Sequence, residues 1–304
     1  MKGTRQTGMA LVLVLWFVAL LSILAIGFSR SVRTEIQIAH NLLEDTRDRH
    51  LAEAAVQMGI HELLKLEQDD SSPLIPGVSK GFLFDGRQLS YTVRDERGKV
   101  DLNQAPDELL LSLLQNAGAD DASASGILDA IADWRDDNDL RRLNGAELAE
   151  YEEAGLRSVP SNRPFVSIAE LQQVIGIDTE LYKKLRPNIT VHGFNEQINP
   201  QSAPREVLQA LPEVNTIEID EIIASRKKSS EEDADEPFPN LTGVDNWISQ
   251  ETGPAYSIKG IASSSVKEAY TRELTVWITD GAYENPYFVL DSRIGAREAG
   301  LEKE

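Results

Sequence analysis

Cysteine is absent from all 304 residues, which excludes a disulfide framework and any thiolate metal site and leaves the redox compartment undecided. Histidine is scarce: His40, His50, His61 and His192 are scattered, without zinc-ligand spacing or a partnered nucleophile motif. No glycine-rich phosphate loop follows a strand pattern, so nucleotide chemistry has little support. Positive charge is also short. Thirty Lys and Arg stand against 50 Asp and Glu, a formal net charge of −20, and such a field repels nucleic acid phosphates. The many carboxylates form no placed acid–base pair, and the chain reads as a non-enzyme.

What the sequence does have begins at its N-terminus. Residues 1–8 read MKGTRQTG, short and polar with Lys2 and Arg5, and Met9 to Phe28 carry no charge at all. Twenty helical residues rising ~1.5 Å each span ~30 Å, the thickness of a bilayer's hydrocarbon. A secretory signal would end in a small-x-small cleavage site, whereas this run ends in Ser29-Arg30-Ser31-Val32-Arg33. The short leader is expected to stay cytoplasmic while the remainder crosses. Beyond the membrane the helix continues, with apolar residues at Ile36, Ala39 and Leu43, then Leu51, Ala54, Ala55, Met58, Leu63 and Leu66. The second stripe predicts a helix half that packs on a domain.

A basic leader that ends in glycine directly before an apolar helix resembles the type IV prepilin and pseudopilin class. The resemblance implies cleavage between Gly8 and Met9 by a dedicated prepilin peptidase, with the helix kept as an inner-membrane anchor. That class usually carries Glu at the fifth mature residue, to pair with a neighbour's terminal ammonium, but Leu13 stands there. An unpaired carboxylate in hydrocarbon costs several kcal/mol, so its loss implies a subunit without the conventional neighbour.

Alternating residues in Phe82-Leu83-Phe84 and Leu89 to Val93 around Asp85-Gly86-Arg87 predict a β-hairpin. Asp101 to about Trp247 is helix-patterned, and strand character returns at Tyr256 to Ala262, Ala269 to Ile278 and Tyr287 to Leu290. The expected fold class is α+β: a long N-terminal transmembrane helix on a pilin-like antiparallel sheet, with a large all-helical insertion between strands. The expected boundaries are a leader at 1–8, the helix at 9–67 with 9–28 in the membrane, a core at 68–99 and 252–304, and the insertion at 100–251. The charged tail from Arg297 to Glu304 is expected to fray.

The insertion carries a diverged repeat. Asp101-Leu-Asn-Gln-Ala-Pro-Asp-Glu-Leu-Leu matches Asn199-Pro-Gln-Ser-Ala-Pro-Arg-Glu-Val-Leu, Ile131 to Arg135 loosely matches Ile222 to Arg226, and Pro164-Phe165 matches Pro237-Phe238. Each Ala-Pro-x-Glu puts proline in the first helical turn and an acid near the positive end of the dipole. Such SAM-like or helix-hairpin-helix-like units can grip DNA through a glycine-rich hairpin. Here the chain reads Leu114-Gln-Asn-Ala-Gly-Ala-Asp-Asp, with acid where phosphate would sit, so no nucleic acid partner is expected. The acidic run SSEEDADE at 229–236 reads as a solvated loop.

A denser acidic cluster follows the first unit: Asp133-Trp134-Arg135-Asp136-Asp137-Asn138-Asp139, then Asn144-Gly-Ala-Glu147. Many hard oxygens in about fifteen residues suit calcium, which takes six to eight at ~2.3–2.6 Å. Arg141 stands where an EF-hand needs glycine, so that motif is rejected; a looser calcium loop and a solvated capping loop both remain.

The run ADWRDDND, the NGAE after it, Ser161 to Phe165, Ile168 to Leu171, Val174 to Gly176, Leu185 to Pro187 and Ile189 to Val191 resemble the K-type minor pseudopilin of bacterial type II secretion. The resemblance implies calcium in the insertion, with Asp136, Asn138, Asp139 and Glu147 as ligands and Asp133 and Asp137 undecided. It also implies a periplasmic domain and a place at the pseudopilus tip with I- and J-type minor pseudopilins. The alternative is a membrane-anchored, calcium-dependent periplasmic adaptor outside secretion.

Overall fold

The computed structural model describes residues 8–66, 77–228, 241, 243–263, 268–279 and 283–299. The 229–236 acidic run and Pro237-Phe238 lie outside them, as do most of the leader and of the 68–77 turn. The chain forms two compact units, Met1–Leu51 and Ala52–Glu304.

Most of the first unit is the start of α1 (Gly8–Leu66), a helix long and apolar enough to cross a membrane. Ser22 in the apolar run donates to the Val18 carbonyl at 2.8 Å, so its hydroxyl is satisfied within the helix. Past the apolar run, Arg49–Asp45 pairs at 3.1 Å along the helix.

In the second unit the end of α1 lies on a five-stranded antiparallel sheet of order β1-β2-β5-β6-β7. Its strands are β1 (Ser79–Phe84), β2 (Arg87–Asp95), β5 (Ala255–Ser263), β6 (Glu268–Ile278) and β7 (Tyr287–Ala299). Phe84 pairs with Arg87 across a two-residue turn in which Asp85 and Gly86 both have positive φ, 48° and 73°. That is the turn whose twist suits a hairpin. Everything from β3 to α7 enters between β2 and β5, yet those two strands are direct neighbours, with Val93 opposite Ile258. The C-terminal strands thus complete the sheet begun by the hairpin.

Val56, Ile60 and Leu63 pack on Tyr91, Val93, Ile258, Leu274, Val276 and Ile278. Glycine sets the closeness of this contact. A Cβ on Gly260 would come within 2.4 Å of the Ala52 carbonyl oxygen, and one on Gly59 within 2.6 Å of Ile258. The expected stripe is corrected here: Met58 is exposed, and the buried line runs through Ala52, Ala55, Val56, Gly59, Ile60 and Leu63. Counting only apolar side chains hides the phase, because Gly59 is itself part of the contact. The tail is corrected too. Arg297 to Ala299 belong to β7, where Glu298 opposes Ala269.

The insertion contains α2 (Asp107–Asn116), α3 (Asp121–Arg135), α4 (Leu148–Glu153), α5 (Thr179–Leu185), α6 (Arg205–Ala210) and α7 (Thr216–Lys228). Among its described residues these helices are joined by irregular segments, a short parallel pair, β3 (Val100–Asp101) with β4 (Ile189–Thr190), and an isolated parallel bridge between Ile198 and Ile248, so the expected all-helical insertion is corrected. Its core joins Leu109, Leu113 and Leu114 of α2 to Ile131 and Trp134 of α3 and to Val207 and Leu208 of α6.

The two repeated segments make the same contacts. Asp101 accepts the Asn103 amide at 2.8 Å and Asn199 the Gln201 amide at 3.0 Å. The Ala105 and Ala203 amides reach back to the Asp101 and Asn199 carbonyls. Arg135 donates to the Leu102 carbonyl, and Arg226 to that of Pro200.

Buried polar groups tie the insertion to the sheet. Asp95 accepts the Gly253 amide at 3.1 Å and Asn199 at 3.2 Å. Lys99 bonds Glu96 at 2.5 Å and Ser257 at 3.2 Å, and Thr190 also donates to Glu96. Asp101 caps the amides of Gly193 and Phe194. Groups buried this deeply are costly unless satisfied, so these bonds fix where the insertion leaves and rejoins the sheet.

Candidate metal centre

Asp120 caps the start of α3 by accepting the Ala122 and Ser123 amides. The helix then runs to Arg135, and Asp136 closes it as C-cap. Two carboxylates on α3 hold the loop that follows. Asp129 accepts the Asn144 amide at 3.0 Å, and the fully buried Asp133 accepts the Arg142 amide at 3.2 Å. Gly145 passes so close that a Cβ would lie 2.0 Å from an Asp133 oxygen; only glycine fits there. Behind the loop Trp134 stacks on Phe165 with centroids 6.2 Å apart and tilts against Tyr151 at 6.1 Å. Tyr151, whose phenol burial pushes up to about 12, accepts the Ile175 amide at 3.0 Å.

Within the loop, Asp136 accepts the Asn138 amide at 3.1 Å and Asn138 the Leu140 amide at 2.8 Å. Asp139 accepts from Asn162 at 2.9 Å. Glu147 opens α4, and its amide donates to Glu150 at 2.9 Å. Its side chain is buried, and one carboxylate oxygen has no hydrogen-bond partner. Burial first, then the charges of Asp133, Asp136, Asp139 and Glu150, push the Glu147 carboxyl up to about 7. Asp133 is also raised, by burial and then by Asp136.

The structure therefore brings Asp136, Asp139 and Glu147 within electrostatic reach of one another and adds Asp133. Asn138 sits on the same loop with its oxygen engaged by Leu140, and Asp137 is exposed. Among the described residues no three His, Cys, Asp or Glu side chains converge as a ready ion cage. An all-oxygen donor set, mutual repulsion and an orphaned buried carboxylate oxygen nonetheless fit a hard cation such as calcium. The role of Asp129 was missed from sequence. Asp129, Asp133 and Asp136 fall at i, i+4 and i+7, and that spacing on one helical face was the available signal.

At the N-terminus Gly8 is the first residue of α1, followed by Met9, and Leu13 is exposed. The fold and site together define a class: an α+β protein whose antiparallel sheet is interrupted by a helical domain with an acidic loop and whose N-terminal helix is of membrane-crossing length.

Comparison with known proteins narrows the class. Residues 88–193 match the family model for type II secretion system (T2SS) protein K. Type II secretion system protein K of Klebsiella pneumoniae is 28% identical over 61% of this chain and 62% of its own length. The protein of that name in Aeromonas hydrophila is 25% identical, over 79% of this chain and 84% of its own length. The putative protein K of Escherichia coli K12 is 25% identical over 62% of this chain. The alignments to the Escherichia coli and Klebsiella relatives span a little under two thirds of those proteins. A chain of the GspK-GspI-GspJ complex from the enterotoxigenic Escherichia coli type 2 secretion system shares the fold. The match has a TM-score of 0.56 and 18% identity, and it covers 87% of this chain and 99% of that one. Over residues 88–193, and more loosely over most of its length, this chain is similar to the type II secretion system protein K family.

Proposed function

We propose that the protein is the minor pseudopilin at the tip of a type II secretion pseudopilus, where it starts or caps assembly with I- and J-type minor pseudopilins. The observation that carries this reading is the insertion of a whole helical domain between two neighbouring strands of a pilin-type sheet. A head enlarged in this way leaves little room for another subunit above it. Leu13 agrees, since it cannot neutralise a neighbour's terminal ammonium. That the structural relative is a chain of a GspK-GspI-GspJ complex supports the choice of partners. The role is assembly, not catalysis.

In this reading α1 anchors the protein in the inner membrane with its C-terminal domain in the periplasm, after prepilin peptidase has cut between Gly8 and Met9. Gly8→Ala should leave a longer, membrane-bound, inactive precursor; efficient removal of residues 1–8 from that variant, read by mass, contradicts it. Asp136, Asp139 and Glu147, joined by Asn138 and the buried Asp133, hold calcium. The ion would supply positive charge to a carboxylate cluster that otherwise repels itself. Loss of secretion on deletion, with crosslinks confined to the two minor partners, is the expected test result. Full secretion without the protein overturns the reading.

A further inference from the structure

Phe194, four residues past β4, is a bulky residue in a backbone conformation that favours glycine. Its φ is 56°, and a ring-bearing residue is held there only at a cost. The buried Asp101 holds it, accepting the Gly193 amide at 2.9 Å and the Phe194 amide at 3.0 Å. The ring gains little burial in return, since it is 54% exposed. A strained backbone that packing does not reward points to a contact made outside the fold.

The ring belongs to an aromatic row on the sheet face away from α1. Val276 and Ile278 pack on α1, so Trp277 between them points to the opposite face. Phe194 meets Trp277 edge-on with centroids 5.4 Å apart and has His192 at 6.3 Å. Across the strands Phe288 of β7 is paired with Trp277, and Tyr283 meets Phe288 edge-on at 5.5 Å. Phe288 and Tyr283 are exposed as well, so the row runs from the insertion to β7 as a surface of rings.

Its border is acidic. Exposed Glu196 and Glu284 lie close to Phe194 and Tyr283 in the sequence, and Asp291, paired with Arg293, is near enough to act on His192. Burial lowers the pKa of His192 against the pull of Glu96, Asp291 and Asp101, so at pH 7 it adds a neutral ring. Aromatic faces attract cations, carboxylates beside them add to the attraction, and a net charge of −20 draws a basic partner from a distance. A purely apolar segment would gain nothing from that border.

We propose that Phe194, Trp277 and Phe288 form a docking surface for a basic segment of another protein, which lays an arginine or lysine side chain against the rings.

The test uses the full chain in detergent, labelled with 5-fluorotryptophan, with the Trp277 fluorine signal assigned by its loss in Trp277→Phe. Pentapeptides of glycine with arginine, with glutamate or with leucine are titrated at constant ionic strength. The Trp277 signal should shift and saturate below about 10 mM with the arginine peptide alone. Phe194→Tyr should keep that response, and Phe194→Leu, which retains apolar bulk without a ring, should weaken it about three-fold or more at an unchanged melting temperature. No saturating shift, or an undiminished response in Phe194→Leu, overturns the proposal. An equal shift with the leucine peptide overturns it too, by marking an apolar docking face, as does loss of the response in folded Phe194→Tyr.

Discussion

Glu147 is a carboxyl group held where a carboxylate is costly, and its raised pKa has a definite sign. The folded protein holds the proton more tightly than the unfolded chain, because burial and then Asp133, Asp136, Asp139 and Glu150 oppose its charge. Its contribution to stability is therefore complete below the ordinary value of 4.5 and is lost as pH rises through about 7. In calcium-stripped protein, the wild type should lose melting temperature relative to Glu147→Gln between pH 5 and pH 8, by roughly 2–6 °C. Calcium at pH 8 should restore the wild type and not the variant, since binding to the folded state alone raises stability. Parallel pH profiles and equal calcium responses in thermal melts would count against Glu147 as a ligand. Gly145→Ala tests the loop itself: the added methyl collides with Asp133, and a loss of about 1–3 kcal/mol in denaturant melts is expected. An unchanged midpoint would mean that the loop is not held as described.

Elements show how far local pattern reaches. The hairpin was legible because Asp85-Gly86 suits a two-residue turn, and the strand segments because β-branched and aromatic residues cluster there. The starts of α2 and α6 were legible because Ala-Pro-x-Glu carries its own mechanism. The seating of α1 was not, because Gly59 and Gly260 register as gaps in an apolar pattern while in space they are the contact. The parallel β3–β4 pair was hidden for another reason: it joins residues 100–101 to 189–190, and two-residue strands have no period. In the acidic loop the sequence exposed the residue types, while burial of Asp133 and the orphaned oxygen of Glu147 depend on packing behind Trp134. Gly260→Leu tests the seating. It should destabilise the second unit by about 3 kcal/mol by prising the helix from β5, and an unaltered melt would refute the close approach.

At the scale of the whole molecule, a filament subunit must leave its upper surface open to the next subunit, and a terminal one need not. Interrupting the five-stranded sheet between β2 and β5 adds a second hydrophobic core, built around Leu109, Ile131, Trp134 and Leu208, to a head that already has one against the end of α1. Under the proposed role, the enlarged head and the apolar Leu13 are the two features that favour one copy ending the assembly. The most direct measurement is gold labelling of the protein on isolated pseudopili, imaged by electron microscopy, with the copy number taken from mass spectrometry against the main shaft subunit. The tip account predicts a single label at one end and about one copy per filament whatever its length. Labels repeated along the shaft, with copies rising in proportion to length, would contradict it.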